Sequence, residues 1–153
     1  MRIEAIDPRN EAAGILIAQA DEYMVALYPS ISNHLASVEE LTRSNVLFVG
    51  AYSGSELVAC GAVRTSDDDG VYGEIKRIFV MEQHRGKGIS RVIMAYLENH
   101  LLTCGVKTAR LETGIKQPAA LGLYRKIGYV ERGPFSNYIQ DPLSVFMEKS
   151  IGA

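Results

Sequence analysis

The segment QHRGKGISR, residues 83–91, is a glycine-rich turn that joins a β-rich run to an amphipathic helix. Glycines such as Gly86 and Gly88 adopt backbone conformations that other residues avoid, and they carry no side chain that keeps a ligand away. The first turn of a helix offers unpaired N–H groups and a partial positive charge. The segment therefore predicts a binding site for a diphosphate at the start of the helix.

The spacing of this turn differs from two common phosphate-binding motifs. The nucleotide P-loop requires Gly-x-x-x-x-Gly-Lys-Ser/Thr, and dinucleotide-binding folds require Gly-x-Gly-x-x-Gly. Residues 83–91 contain neither order. Taken alone, the turn leaves two interpretations open, a phosphate site of another class or an ordinary tight turn.

The elements after the turn alternate between helix and strand. Apolar residues at helical spacing predict a helix that begins at Ile89 and is closed by Gly105 as a C-cap. Later elements are a strand over 107–113, a helix over 118–127, a strand near Tyr129 and a strand over 145–149. This order is typical of helices packed on both faces of a mixed sheet.

The first half of the chain predicts a helix and an antiparallel meander. Its elements are a strand over 2–6, a long helix that includes Leu16 and Leu27, a brief helix over 38–43, and strands over 46–52, 56–64 and 72–80. In the last strand, Ile75 and Ile78 are three residues apart and cannot share a face if the strand alternates strictly. A β-bulge between them would bring both side chains to the core.

Length and composition restrict the classes of function. The 153 residues, 47% hydrophobic and 22% charged, predict a single domain over 1–153. Basic and acidic residues number 16 and 18, with no basic block for nucleic acid, and the net charge is -2. Residues 1–10 lack the apolar stretch of a signal peptide, and no run is long enough to span a bilayer. We expect a soluble, cytoplasmic protein without nucleic-acid or membrane partners.

The two cysteines, Cys60 and Cys104, do not have the spacing of metal ligands and are too few for a disulfide framework. Cys60 lies in an apolar run and Cys104 at the end of a helical pattern. We predict two reduced thiols, buried or half-buried, and no metal site.

Taken together, these features make the sequence similar to the GNAT superfamily of N-acetyltransferases. That family binds the pyrophosphate of acetyl-CoA on a Gln/Arg-x-x-Gly-x-Gly/Ala motif, at the start of the helix that follows its fourth strand. Arg85 and Gly88 match the motif, and Ser90 stands where the family has Gly or Ala. Residues 73–80 resemble the fourth strand, and residues 111–129 resemble the fifth strand and its following helix.

The resemblance implies a mostly antiparallel α/β sheet of six to seven strands, in which the fourth and fifth strands splay apart. In the family, a bulge opens this gap, and the pantetheine arm of acetyl-CoA pairs with backbone groups inside it. Here the gap would lie between residues 79–80 and 111–113. The implied cofactor-binding residues are Phe79, Val80, Arg85, Gly86, Lys87, Gly88, Ile89, Ser90, Arg91, Gln117 and Tyr124.

The resemblance also implies two catalytic residues. Tyr124 occupies the position of the family's tyrosine that faces the thioester sulfur, whereas periodicity alone favours packing in the core. Glu74 occupies the position from which many members deprotonate the amine, directly or through water; a solvated edge residue is the alternative. Glu112 and water compete with Glu74 for the role of base, and His84 is a weaker candidate because it lies in the phosphate turn.

The acceptor site is predicted from loops and aromatic residues. The loop over 134–144 is of the polar, aromatic kind that commonly carries specificity. Tyr28, Glu112 and Tyr138 are the predicted substrate residues. Tyr23 is a further candidate, although core packing is favoured for Tyr23 and surface exposure for Tyr28 when each is taken individually.

The implied activity is direct transfer of an acetyl group from acetyl-CoA to a primary amine of a small molecule, in a ternary complex. The alternatives are a protein or peptide N-acetyltransferase and a non-catalytic acyl-CoA-binding module. The loop over 134–144 and residues 112–114 resemble a bacterial subgroup of the superfamily. A homodimer through the C-terminal strands is compatible with the resemblance.

Overall fold

The computed structural model describes residues 1–152, which build a seven-stranded sheet. The strands are β1 (Arg2–Ala5), β2 (Val46–Ser53), β3 (Glu56–Ser66), β4 (Tyr72–Val80), β5 (Thr108–Gly114), β6 (Val130–Arg132) and β7 (Ser144–Ser150). Their order in the sheet is β1-β2-β3-β4-β5-β7-β6, and only the pair β4 and β5 is parallel among the pairs described. The predicted α/β class and mostly antiparallel sheet are confirmed.

Helices pack on both faces of this sheet. They are α1 (Glu11–Leu27), α2 (Val38–Leu41), α3 (Ile89–Thr103) and α4 (Pro118–Lys126). Apolar residues of α1 and α2 share one core with Phe48 and Ala62, whereas α3 and α4 share a second core with Val49 and Val63. Because successive side chains of β2 and β3 point to opposite faces of the sheet, these strands separate the two cores.

Within residues 1–152 no helix combines the length and the apolarity needed to cross a membrane.

The predicted bulge in β4 is confirmed by the register of its pairing with β3. Cys60 pairs with Phe79 and Ala62 pairs with Lys76, so β4 advances three residues where β3 advances two. The bulge contains Arg77, whose backbone φ angle is 59°. A non-glycine residue in this left-handed region is strained and must be held by its surroundings.

The Arg77 side chain supplies that restraint. Its Nε and Nη2 atoms donate hydrogen bonds of 3.0 and 2.7 Å to the carbonyl oxygen of Ala36, and its Nη1 atom pairs with the carboxylate of Asp21. Only 5% of the side chain is exposed. Arg77 therefore fixes α1 and the segment before α2 to the bulge, and this places both beside the opening in the sheet.

The opening lies between β4 and β5. The two strands pair over residues 73–75 and 109–111. Beyond these three pairs they separate as β4 runs on to Val80 and β5 to Gly114. The splayed strands implied by the resemblance are therefore present, and they leave backbone groups on both sides of a gap.

Two smaller predictions have different outcomes. Gly105 follows α3 with a φ of 76°, as expected for a C-cap glycine, and the N–H of Val106 donates to the carbonyl oxygen of Leu101. Cys60 is buried, as predicted. The prediction for Cys104 was wrong, because it lies at the exposed end of α3, beyond the apolar stripe that faces the core.

Candidate active site

A cavity of about 730 Å³ occupies the gap between β4 and β5. Its wall is built by the second half of β4, the turn before α3, β5, α4, and parts of α1 and the segment before α2. The predicted residues on this wall are Glu74, Phe79, Val80, His84, Arg85, Gly86, Gly88, Ile89, Ser90, Arg91, Glu112, Gln117, Tyr124 and Tyr138. Two predicted site residues, Lys87 and Tyr28, are not part of the described wall.

The turn before α3 presents open backbone to the cavity. Gly86 and Gly88 have φ values of 77° and 79°, the left-handed conformation that favours glycine. A β-carbon added to either residue would meet no atom within 4 Å. Gly88 is the N-cap of α3 and offers no side chain to the first N–H groups of the helix. These groups fit a diphosphate, because they remain available to an anionic oxygen.

The two basic residues of this turn behave differently. Arg85 folds across the cavity wall, where its Nε atom donates to the carbonyl oxygen of Val80 at 2.9 Å. Its guanidinium group lies over the rings of Tyr23 and Phe79, at 5.0 and 5.5 Å from their centroids. Lys87 is exposed and is not part of the described wall. Of the pair, Arg85 is the one that contributes to the shape of the cavity.

Glu74 is 1% exposed and has cationic and phenolic partners. Arg64 Nη2 donates to its Oε1 atom at 2.7 Å, and Lys76 Nζ donates to its Oε2 atom at 3.1 Å. The Tyr138 hydroxyl donates to the same Oε2 atom at 2.5 Å. Both carboxylate oxygens of Glu74 are therefore occupied by charged or hydroxyl donors.

Tyr138 connects Glu74 to the loop over 134–144. Burial, together with the nearby charge of Glu74, raises the pKa of Tyr138 well above its usual range. The hydroxyl therefore keeps its proton and acts as a donor to Glu74, while it accepts a hydrogen bond of 3.0 Å from Lys76 Nζ. Tyr138 therefore fixes the loop over 134–144 to Glu74 at the cavity wall.

Glu112 lies on the neighbouring strand in opposite surroundings. Burial raises its pKa to about 7, and the charges of Glu74 and Asp141 add to the increase. The Ser144 hydroxyl and the Lys76 ammonium favour the ionised form but do not offset the loss of solvation. A carboxyl group with a pKa close to neutrality can accept and release a proton under physiological conditions.

Tyr124 contributes a second protonatable group to the same cavity. It is 7% exposed, packs in the core of α3 and α4, and has its ring 6.1 Å from that of Tyr129. Burial and the nearby charge of Glu112 raise the pKa of its hydroxyl. Among residues 1–152 the hydroxyl has no hydrogen-bond partner, so its proton is free for a group in the cavity.

The individual expectations for Tyr23 and Tyr28 were wrong. Tyr23 is 36% exposed and lines the cavity, whereas Tyr28 is 5% exposed and does not belong to the described wall. The Tyr28 hydroxyl donates to Gln117 Oε1 at 3.3 Å and accepts from the backbone N–H of Lys116 at 3.0 Å. It lies directly above Gly114, where an added β-carbon would be 1.9 Å from it. Tyr28 therefore braces the loop between β5 and α4.

Gln117 occupies the N-cap position of α4, as predicted, but its side chain does not cap the helix. Its Oε1 atom accepts the hydrogen bond from Tyr28 instead. The Gln117 side chain still forms part of the cavity wall. The Gln117 side chain therefore links the end of α1 to the start of α4 and does not cap α4.

His34 and Lys76 line this cavity, and Arg64 lines a second cavity that shares both residues with it; none of the three was predicted as a site residue from the sequence. A signal for two of them was present. Glu74 and Lys76 are two residues apart on one strand and must share a face, and Arg64 ends an otherwise apolar run. Charged side chains on buried strands require partners, so they indicate a polar site.

Comparisons with known proteins agree with this geometry. A model of the family described as Acetyltransferase (GNAT) family matches residues 14–129. A relative from Azospirillum brasilense, named IAA acetyltransferase, is 40% identical over 144 residues, which are 94% of each chain. The solved structure of a putative acyl-CoA N-acyltransferase from Klebsiella pneumoniae is 36% identical, has a TM-score of 0.82, and covers 99% of this chain and 97% of its own.

A more distant structure shares the fold. The PaiA N-acetyltransferase of Thermoplasma acidophilum, solved in complex with coenzyme A, is 18% identical with a TM-score of 0.74. The alignment covers 98% of this chain and 99% of the other. The same arrangement of strands and helices therefore extends to proteins with little sequence in common.

Proposed function

Because the chain belongs to the GNAT family of acetyltransferases, we propose that it transfers an acetyl group from acetyl-CoA to a primary amine of a small molecule. Membership of the family makes the chain an N-acetyltransferase with an acyl-CoA co-substrate. The finer proposal is direct transfer within a ternary complex. The observation that supports it is that two protonatable side chains, Glu112 and Tyr124, line the same cavity. One can act as the base and the other as the acid.

The open turn supports the proposed position of the co-substrate. We assign its diphosphate to the N–H groups at Gly86, Gly88 and the first turn of α3, and its pantetheine arm to the gap between β4 and β5. Bound acetyl-CoA supplies the thioester carbonyl that the amine attacks. The exposed backbone of both strands can pair with the amide groups of the arm.

Glu112 is the base in this proposal, in preference to Glu74. A general base needs a free oxygen lone pair and a pKa near the working pH. The pKa of Glu112 is about 7. The carboxylate oxygens of Glu74 accept hydrogen bonds from three donors. The amine gives a proton to Glu112 as its nitrogen bonds to the acetyl carbon. The carbon–sulfur bond breaks, and the sulfur takes the proton of the Tyr124 hydroxyl. Glu112 then releases its proton to water and Tyr124 regains one from water before the next turnover.

A small acceptor agrees with the size of the cavity. Its volume of about 730 Å³ is shared with acetyl-CoA in this proposal, so the part that is left for the acceptor is smaller still. The relative from Azospirillum brasilense also has a name that refers to a single compound, IAA. A protein or peptide acceptor and a binding module without turnover remain the alternative functions.

A screen for release of free coenzyme A tests the activity. Wild-type protein is incubated with acetyl-CoA and either small primary amines or peptides with free N-termini and lysines. We expect thiol release with at least one small amine and none with the peptides. Release with peptides alone would favour the protein acceptor, and no release with either set would favour the binding module.

Calorimetry tests the coenzyme A site separately from turnover. Gly88→Ala introduces a side chain at a φ of 79°, which costs about 1–2 kcal/mol in the left-handed region and displaces the open backbone. We expect the affinity for coenzyme A to fall at least about tenfold. Gly14→Ala, in α1 and with no atom within 4 Å of the added β-carbon, is the matched control. Equal affinities in the two variants would reject the assignment of the turn.

A further inference from the structure

We propose that the acceptor amine also carries a carboxylate, which binds to Arg64, Lys76 and His34. This inference rests on the proposed function and names the substrate class of the same cavity. It is carried by a second cavity, by two cations that share one carboxylate, and by buried hydrogen-bonding groups without partners.

The second cavity, of about 410 Å³, adjoins the first. His34, Lys76 and Tyr138 line both cavities, so a molecule can occupy the two together. Arg64 lines the second cavity only. An acceptor whose amine lies near Glu112 can therefore extend past Lys76 towards Arg64.

Two cations in this passage share one carboxylate. Arg64 and Lys76 both pair with Glu74, and their side chains are only 23% and 12% exposed. A second carboxylate in the passage can pair with both of them.

Apart from Glu74, the acidic groups near the second cavity hydrogen-bond to other parts of the protein and not to Arg64 or Lys76. Among the described residues that line the second cavity, Glu40 is the only acid, and its carboxylate accepts from the backbone N–H and hydroxyl of Ser37 in the capping box of α2. Asp141, near His34, is held by the Ser32 hydroxyl and the backbone N–H of Leu143.

Hydrogen-bonding groups in the passage also lack partners. Arg64 Nε and His34 Nε2 are buried and make no hydrogen bond within residues 1–152. Lys76 Nζ uses two of its three protons, on Glu74 and on Tyr138. Buried donors without partners are costly, and a carboxylate accepts several hydrogen bonds at once. A carboxylate on the acceptor would accept hydrogen bonds from Arg64 and Lys76, and from His34 when its Nε2 atom carries the proton.

The spacing of the strands indicates how far apart the two ends of the acceptor lie. Arg64 pairs with Glu74, and Glu112 stands one residue beyond the pairing of β4 with β5. Two strand spacings separate Arg64 from Glu112, on the order of 10 Å between backbones, and long side chains reduce this distance. A series of amino carboxylates of increasing length therefore scans the site.

The test compares matched acceptors that differ only in the carboxylate. Glycine, β-alanine, 4-aminobutyrate and 6-aminohexanoate are measured against methylamine, ethylamine, propylamine and pentylamine, with acetyl-CoA saturating. We expect at least one amino carboxylate to have a kcat/KM at least about tenfold above that of its alkylamine, mainly through KM. Equal kcat/KM values in every pair would overturn the inference and leave the proposed function intact.

Variants of Arg64 then assign the preference to this site. Arg64→Lys keeps a cation for Glu74 but removes Nε and the planar guanidinium fork, so the carboxylate-to-alkylamine ratio should fall about tenfold. Arg43→Gln removes one exposed positive charge outside the described wall and should leave the ratio unchanged. A ratio that survives Arg64→Lys, in protein with an unaltered circular dichroism spectrum, would contradict the assignment.

A binding measurement covers the case in which no amine is acetylated. Calorimetry with 6-aminohexanoate and pentylamine, in the presence of coenzyme A, measures recognition without turnover. Binding of the amino carboxylate alone, weakened by Arg64→Lys, would uphold the site although the proposed function had failed. Equal or absent binding of both compounds would reject it.

Discussion

Two carboxyl groups on neighbouring strands reach one cavity, and their surroundings are opposite. Glu74 of β4 is 1% exposed and receives hydrogen bonds from Arg64, Lys76 and Tyr138. Glu112 of β5 loses its solvation without a comparable set of donors, and its pKa rises to about 7. Two carboxyl groups of one cavity therefore differ in the donors that replace water around them.

The two carboxyl groups therefore have different functions in our proposal. Glu74 holds Arg64, Lys76 and Tyr138 in place beside the proposed acceptor passage, because each of them donates to the same carboxylate. Glu112, with a pKa of about 7, is the proposed proton acceptor.

Replacement of the base should have the largest effect. Glu112→Gln removes the proton acceptor and preserves the size of the side chain, so kcat should fall by about 10²–10⁴ at pH 8, the range for a positioned general base. Steady-state thiol release measures this effect. Glu22→Gln, an exposed position on α1, should retain the wild-type kcat. A fall of less than threefold for Glu112→Gln would transfer the role to Glu74 or to water.

Removal of the proposed acid should have a smaller effect. Tyr124→Phe keeps the ring in the core and removes the hydroxyl, so kcat should fall about 10²-fold with little change in affinity for coenzyme A. A thiolate is a good enough leaving group for part of the rate to survive.

Tyr129→Phe is the matched control for Tyr124→Phe. The Tyr129 hydroxyl donates to Glu98 Oε2 at 2.8 Å and lies outside the described cavity wall, so its removal should affect stability more than turnover. Equal kcat values for Tyr124→Phe and wild type would return Tyr124 to a core-packing role.

The charged cluster should respond in stability more than in chemistry. Glu74→Gln leaves Arg64 and Lys76 without their shared carboxylate, which should cost about 2–4 kcal/mol in the free energy of unfolding. Urea denaturation measures the loss, with Glu22→Gln as the control. Glu74→Gln should lower kcat much less than Glu112→Gln does. The opposite ranking of the two kcat values would show that Glu74 is the base and that Glu112 is not.

Local patterns predicted the features of the site that depend on neighbouring residues. Ile75 and Ile78 revealed the bulge because strand alternation has a strict period, and the glycines of residues 83–91 revealed the open turn because few other residues adopt their conformation. The order of strands and helices then sufficed for the type of sheet. These signals lie within one element or across one turn.

Contacts between distant segments were not predictable in the same way. Tyr28 is buried because Gly114 leaves room for its hydroxyl, and the two residues are 86 positions apart. The donors to Glu74 include Arg64 and Tyr138, which come from another strand and from a loop. Sequence periodicity contains no information on such pairings, so it left the choice between Glu74 and Glu112 open.

The most direct test of the central claim is the pH dependence of kcat/KM in wild type, Glu112→Gln and Glu74→Gln. A base with a raised pKa must lose its proton to work, so the wild-type rate should rise with pH and level off above about 7. Glu74→Gln should keep this inflection at a slightly lower pH, because the charge of Glu74 raises the pKa of Glu112. Glu112→Gln should abolish it. An inflection near pH 7 that persists in Glu112→Gln and disappears in Glu74→Gln would contradict the account.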